Sequence, residues 1–146
     1  MNEPRDAGAK GVPRNQLRRS YRALLLLCAC YFLAVAVAHQ LGWKVPLLYI
    51  FYAVPSERYQ DLIISFLAFG WAALFLAGFL DRTMRPAAQT PILIAGLVAL
   101  AGLIRVRLEV PGHPEIDYEI AGLAALQGAL VLLFALQRSG ASSAPH

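Results

Sequence analysis

A chain of 146 residues that is 58% hydrophobic and 15% charged, with a mean hydropathy of +0.54, is too apolar for an ordinary soluble domain, where about a quarter of residues carry charge. Its length supplies about four spans of roughly 20 residues with short connections and leaves no room for a separate soluble domain of ~100 residues, which excludes a large globular enzyme. The net charge of +4 is unevenly placed: Arg5, Lys10, Arg14, Arg18, Arg19 and Arg22, six of thirteen basic residues, precede the first apolar run. Beside a span, such a cluster faces anionic headgroups and keeps the N-terminus in the cytoplasm, so it is not read as a nucleic-acid-binding arm.

Residues 1–20 lack apolar periodicity and read as a basic, disordered cytoplasmic tail, turning helical near Leu17; residues 21–138 form the membrane domain. The uncharged run from Ala23 to Ala38 predicts a first span over about 22–40. Arg18-Arg19-Ser20-Tyr21 with Ala36-Val37-Ala38 also has the outline of a twin-arginine signal with a cleavage site. An uncleaved span is preferred, because the apolar run is too long and three more apolar segments follow. Val45 to Val54 is too short to cross as a helix, so with Trp43, Tyr49, Tyr52 and Tyr59 it belongs at the interface, or else extends the first helix to near Pro46. A second span covers 61–80, closed by Asp81, Arg82, Arg85 and Pro86. A third covers about 91–108, with Pro91 in its first turn and the alternating Arg105, Arg107 and Glu109 in its last two, where Arg105 and Glu109 pair at i,i+4. Pro111 to Pro114 breaks that helix, and a fourth span over about 120–137 leads into the short tail 139–146.

The fold class is therefore all-α: a polytopic membrane protein, an antiparallel bundle of four transmembrane helices with both termini cytoplasmic. This orientation gathers the N-terminal cluster, Arg82, Arg85 and Arg138 inside. It leaves Glu57, Asp61, Glu109, Glu115, Asp117 and Glu119, six of nine acids, outside with His39 and His113. Helices in lipid approach closely through small residues, and three sets are in register: Gly70, Ala73 and Ala77; Ala95, Ala99 and Gly102; Ala121, Ala125 and Ala129 with Gly122 and Gly128. These predict the seams of a compact bundle, or in part an interface with a membrane-protein partner or a second copy.

Cys28 and Cys30, two apart on a helix, point about 200° away from each other and read as small packing groups. Arg105 at membrane depth needs a partner, with Glu109 local and Asp61 or Glu119 tertiary; the candidate polar cluster is Arg105, Glu109, Asp61, Glu119 and His113. His113, Glu115, Asp117 and Glu119 lack the spacing of a known zinc signature, so no metal and no cofactor is assigned. Gln127 at mid-span should face inward and hydrogen-bond another helix. No serine-nucleophile set and no glycine-rich phosphate loop occurs, and the reading leans away from an enzyme.

Glu57, Arg58 and Asp61 opening the second span, Gly70-Trp71 within it, Gly102-Leu103-Ile104-Arg105 ending the third and Pro111-Gly112-His113-Pro114 give the chain a layout that resembles small bacterial DoxX-like membrane proteins over about residues 23 to 138. The resemblance implies a four-helix bundle of the bacterial cytoplasmic membrane and an accessory or assembly role beside another membrane complex. The alternative is a small-molecule or lipid-binding membrane protein, a carrier or enzyme, with an outward polar pocket around Arg105. The basic tail and the tyrosine-rich segment 45–54 depart from that family's pattern.

Overall fold

The computed structural model describes residues 14–49, 56–109 and 114–142. They form four helices: α1 (Arg14–Leu41), α2 (Arg58–Leu80), α3 (Pro86–Glu109) and α4 (Glu115–Ser142). All four are long and apolar enough to cross a membrane, since even 23 residues at 1.5 Å each exceed a hydrocarbon core of ~30 Å. Large apolar side chains stand outward along the spans, among them Leu27, Phe66, Leu67 and Val98, each more than 60% exposed. Only lipid can solvate that surface, and the chain is a multi-pass membrane protein. Each helix packs on its sequence neighbour, and α4 closes back on α1; the backbones of the diagonal pairs α1/α3 and α2/α4 do not approach closely.

The seams follow a spacing of 3.5 residues. On α1 the inward positions are Tyr21, Leu25, Cys28, Phe32, Val35 and His39; on α2 they are Asp61, Ser65, Ala68, Ala72 and Phe75. Gln89, Ile92, Gly96 and Ala99 continue the pattern on α3, as do Ile116, Ile120, Leu123, Gln127, Leu130 and Phe134 on α4. This is the coiled-coil repeat, alternating steps of three and four, that keeps one stripe facing the bundle axis. At its centre Phe32 stacks on Trp71 and Phe75, ring centroids 5.7 and 5.6 Å apart. Cys28 belongs to this core and Cys30 faces outward.

Polar residues, rather than the small-residue stripes, choose the inward faces. Gly70, Ala73 and Ala77 are exposed on α2, opposite the Asp61–Ser65 face, and a side chain added at Gly70, Gly102, Gly122 or Gly128 would meet open space. The expectation that these stripes form the seams is corrected accordingly. Hydrophobic residues are equally comfortable in lipid or in the bundle, whereas polar ones are not, so the polar positions fix the rotation of each helix. The small residues that permit close approach are Gly78, where a Cβ would stand 2.4 Å from Ile92, and Gly96, where it would stand 2.1 Å from Gln127. Gln127 is buried and donates to the Leu93 carbonyl at 2.6 Å, the inward, helix-to-helix role expected of it.

The helix ends also differ from expectation. α1 begins at Arg14, so residues 14–20 are helical, while residues 1–13 lie outside the described residues. α3 begins at Pro86, which places Pro91 inside the helix and not in its first turn. Pro86 takes the first position, where its missing N–H costs nothing, and Asp81 organises the turn before it. The Asp81 carboxylate accepts from Thr83 N and Oγ1 at 3.0 and 2.6 Å and from Arg85 N at 2.9 Å. Gln89, fully buried, ties three helices together: its Oε1 accepts from the Tyr21 hydroxyl at 3.1 Å, and its Nε2 donates to the Gly78 carbonyl at 3.2 Å.

Gly96→Ala therefore has to break the Gln127 hydrogen bond to Leu93 or separate α3 from α4. Thermal unfolding in detergent should show a loss of about 1–3 kcal/mol, against none for Gly102→Ala; equal behaviour would contradict the close approach. The hydrogen bond from the Thr83 hydroxyl, followed by the backbone donors, lowers the Asp81 pKa from 3.8 to about 2. A group depressed on folding contributes stability above its unfolded value that is lost as pH falls through the folded one. Acid destabilisation between about pH 4 and about pH 2 should thus shrink in Asp81→Asn, as followed by circular dichroism.

Candidate functional site

The densest buried polar cluster lies where α1 ends and α2 begins. Gly42, with φ +71°, closes α1: Trp43 N donates to Ala38 O at 2.8 Å and Gly42 N to His39 O at 3.3 Å, the two bonds of a Schellman cap. A residue with a side chain is strained at that φ. Arg58 from α2 adds to this cap: its Nη1 donates to His39 O, which also accepts from Gly42 N, at 3.2 Å, and its Nη2 to Gln40 O at 2.6 Å. One guanidinium thus joins the start of α2 to the end of α1, satisfying carbonyls that a helix terminus leaves open. Gln60 Oε1 accepts from Glu57 N at 3.3 Å and secures the first turn of α2.

With the two helix ends locked, His39 and Asp61 meet. The imidazole Nδ1 lies 3.1 Å from Asp61 Oδ1, and both side chains are almost fully buried. Asp61 Oδ2 accepts from Ser56 Oγ at 3.0 Å, so both carboxylate oxygens are engaged. The Tyr49 ring stacks on the imidazole, centroids 3.7 Å apart, and its hydroxyl points at Ala38 O at 3.4 Å. Burial, reinforced by the Asp61 carboxylate, raises the Tyr49 phenol above its ordinary pKa of 10, which keeps it a neutral donor. One turn further along α2, Ser65 Oγ donates to Gln40 Oε1 at 2.9 Å. Chemically this is a histidine oriented by a carboxylate: the tautomer that donates Nδ1–H to Asp61 leaves Nε2 as the ring's acceptor.

The four described members of the expected cluster separate into different groups. Asp61 enters the buried site through His39 and Ser56, not through an arginine. Arg105 pairs with Glu109 at 2.8 Å, the local partner foreseen for it, with both side chains largely exposed. Glu119 is half-buried on α4, close enough to the Tyr31 hydroxyl to interact with it electrostatically. His113 lies outside the described residues, as do residues 50–54 of the tyrosine-rich segment. Of that segment, Val45–Tyr49 are described; the Gly42 cap ends α1 ahead of them, so it does not extend the first helix. A further pair, Arg107 to Asp117 at 2.6 and 3.3 Å, links α3 to α4 at the same end of the bundle. Among the described residues no group of three or more His, Cys, Asp and Glu side chains could hold a metal ion.

The sequence places His39 on the acid-rich side, where with His113 and its neighbouring carboxylates it is a conceivable metal ligand, but does not pair it with Asp61. The signal that would have found its partner is positional: the last inward position of one helix and the first of the next stand level in an antiparallel hairpin. No protein-family model, curated protein or solved structure matches the chain.

Removing one member of the buried pair leaves the other unpaired, so Asp61→Leu and His39→Leu should each cost about 3–5 kcal/mol. The double variant should cost clearly less than their sum. Additive losses in a double-mutant cycle of detergent unfolding would show that the two side chains do not act as a pair.

Proposed function

We propose that this multi-pass membrane protein is a non-enzymatic accessory or assembly subunit of a larger complex in a bacterial cytoplasmic membrane, with both termini on the cytoplasmic side. The observation that carries this reading is the set of small-residue faces left open by the bundle: Gly70, Ala73 and Ala77 on α2, and Ala121, Gly122 and Ala125 on α4. Glycine and alanine on an outward face allow another helix to come within backbone contact, which bulky lipid-facing residues prevent. Between α3 and α4 an open groove of about 450 Å³, lined by Leu97, Leu100, Ala124, Gly128 and Val131, offers a second seat for an apolar helix or acyl chain. The DoxX-like layout supports the same role.

A second reading, a ligand- or proton-handling site at the outer face, moves from Arg105 to His39 and Asp61. Burial of an acid–base pair within spanning helices favours it, because ionisable residues at membrane depth are expensive and commonly functional.

Gentle extraction from the native membrane followed by native mass spectrometry separates the two. The accessory role predicts a stoichiometric second polypeptide that Gly122→Leu releases while insertion is unchanged. A lone chain carrying a small molecule lost in His39→Gln would replace it with the second reading.

A further inference from the structure

At the opposite end from His39 and Asp61, the described basic residues are all arginines: Arg14, Arg18, Arg19, Arg22, Arg82, Arg85 and Arg138, against the single described acid Asp81. Asn15, Arg18, Arg19 and Arg22 fall at i, i+3, i+4 and i+7, which puts them on one face of α1, and together they line an open surface pocket of about 290 Å³. Two of the arginines are anchored by the last turn of α2 and the turn that follows it. Arg18 Nη2 donates to the Arg82 carbonyl. Arg22 Nε donates to the Phe79 carbonyl at 3.1 Å, and its guanidinium lies over the Phe79 ring at 4.8 Å. Each anchoring bond uses one of the five donors of a guanidinium, leaving a fixed array of N–H groups for an outside acceptor. The only acid among the described residues at this end is already committed, since Asp81 accepts from Thr83 and from Arg85 N.

Depth narrows the ligand. Arg22 immediately precedes the apolar run of α1, and Phe79 and Leu80 are the last apolar residues of α2, so the pocket lies where two spans leave the hydrocarbon. That is the level of lipid phosphates, to which basic residues at membrane exits are drawn. The volume is near the lower limit of roughly 300 Å³ for small-ligand sites, suited to a headgroup and too small for an acyl chain, which would instead run down the outward apolar surface of α1 past Leu26 and Leu27. We propose that Asn15, Arg18, Arg19 and Arg22 form a binding site for the phosphodiester headgroup of an anionic phospholipid. Arg22 is held by α2 and Arg18 by the turn after it, and Arg19 is an exposed arm of the site. A bound headgroup at this position cross-links the start of α1 to the end of α2, stabilising the hairpin at the end away from the His39 and Asp61 pair.

The test uses the full chain in nanodiscs of phosphatidylcholine with or without phosphatidylglycerol, released into the mass spectrometer. Retained phosphatidylglycerol should exceed retained phosphatidylcholine. Retention should fall roughly fivefold in Arg19→Gln, the scale of one cation near a charged surface, and further in a variant carrying glutamine at 18, 19 and 22. Arg138→Gln, a cation of the same end on α4, should leave retention unchanged. Arg19 is exposed and, unlike Arg18 and Arg22, is not hydrogen-bonded to the end of α2 or its following turn, so its variant should fold even if the triple one does not, and circular dichroism checks this. Equal retention of the two lipids, equal loss in Arg138→Gln, or displacement of the lipid by millimolar inorganic phosphate would each overturn the proposal, the last by assigning the pocket to a free anion.

Discussion

The buried polar side chains His39, Asp61, Ser65, Gln89 and Gln127 of the membrane-spanning helices all find partners inside the protein, and the rest of the structure depends on that constraint. In lipid an apolar side chain gains little by turning inward, so apolar residues leave the rotation of each helix nearly free. A buried carboxylate, imidazole or amide does not, because leaving it unpaired costs several kcal/mol. The inward stripes of all four helices accordingly run through polar anchors: Tyr21 and His39 on α1, Asp61 and Ser65 on α2, Gln89 on α3 and Gln127 on α4.

These anchors tie the bundle at three levels. Near one end Gln89 joins α3 to Tyr21 of α1 and to the Gly78 carbonyl of α2. At mid-depth Gln127 reaches from α4 to the Leu93 carbonyl of α3. At the far end His39 and Asp61 lock α1 to α2 beneath Tyr49, with Arg58 closing the carbonyls of α1. Between the ties, packing is supplied by the aromatic stack of Phe32, Trp71 and Phe75 and by the glycines that let helices approach. The α1–α2 hairpin is the most heavily tied unit. The other helices carry the open groove and, with α2, the small-residue faces, which is where a partner has room to bind.

Much of this was legible in the sequence, and what was missed has a common cause. Long apolar runs bounded by Asp81, Arg85 and Pro86, or by Pro111 to Pro114, make the four helices plain, and Gln127 declares itself as a lone amide in a span. The i,i+4 pairing of Arg105 with Glu109 is a local consequence of helix geometry and was equally readable. Asp61 with His39 and Tyr21 with Gln89 are different, because their residues lie 22 and 68 positions apart and only the hairpin geometry makes them neighbours. The small-residue stripes misled for a related reason: they show where a helix can approach, and nothing in them says whether the approaching helix belongs to this chain. Reading the inward face from polar positions, at the 3.5-residue spacing that Asp61, Ser65, Ala68, Ala72 and Phe75 follow, gives the observed seam.

The two ends of the bundle differ in charge as well as in their ties. Arginines collect at the end of Tyr21 and Gln89, and the acids of α2, α3 and α4 at the end of His39 and Asp61. If the chain crosses the membrane four times under the positive-inside rule, the arginine end faces the cytoplasm. Single cysteines in a background with Cys28 and Cys30 replaced by alanine provide the direct measurement, by labelling intact cells with a membrane-impermeant maleimide. Trp43→Cys should label from outside and Arg82→Cys only after the membrane is permeabilised. Labelling of both from the same side would contradict a chain that crosses in each of its helices, and the reverse pattern would invert the proposed orientation.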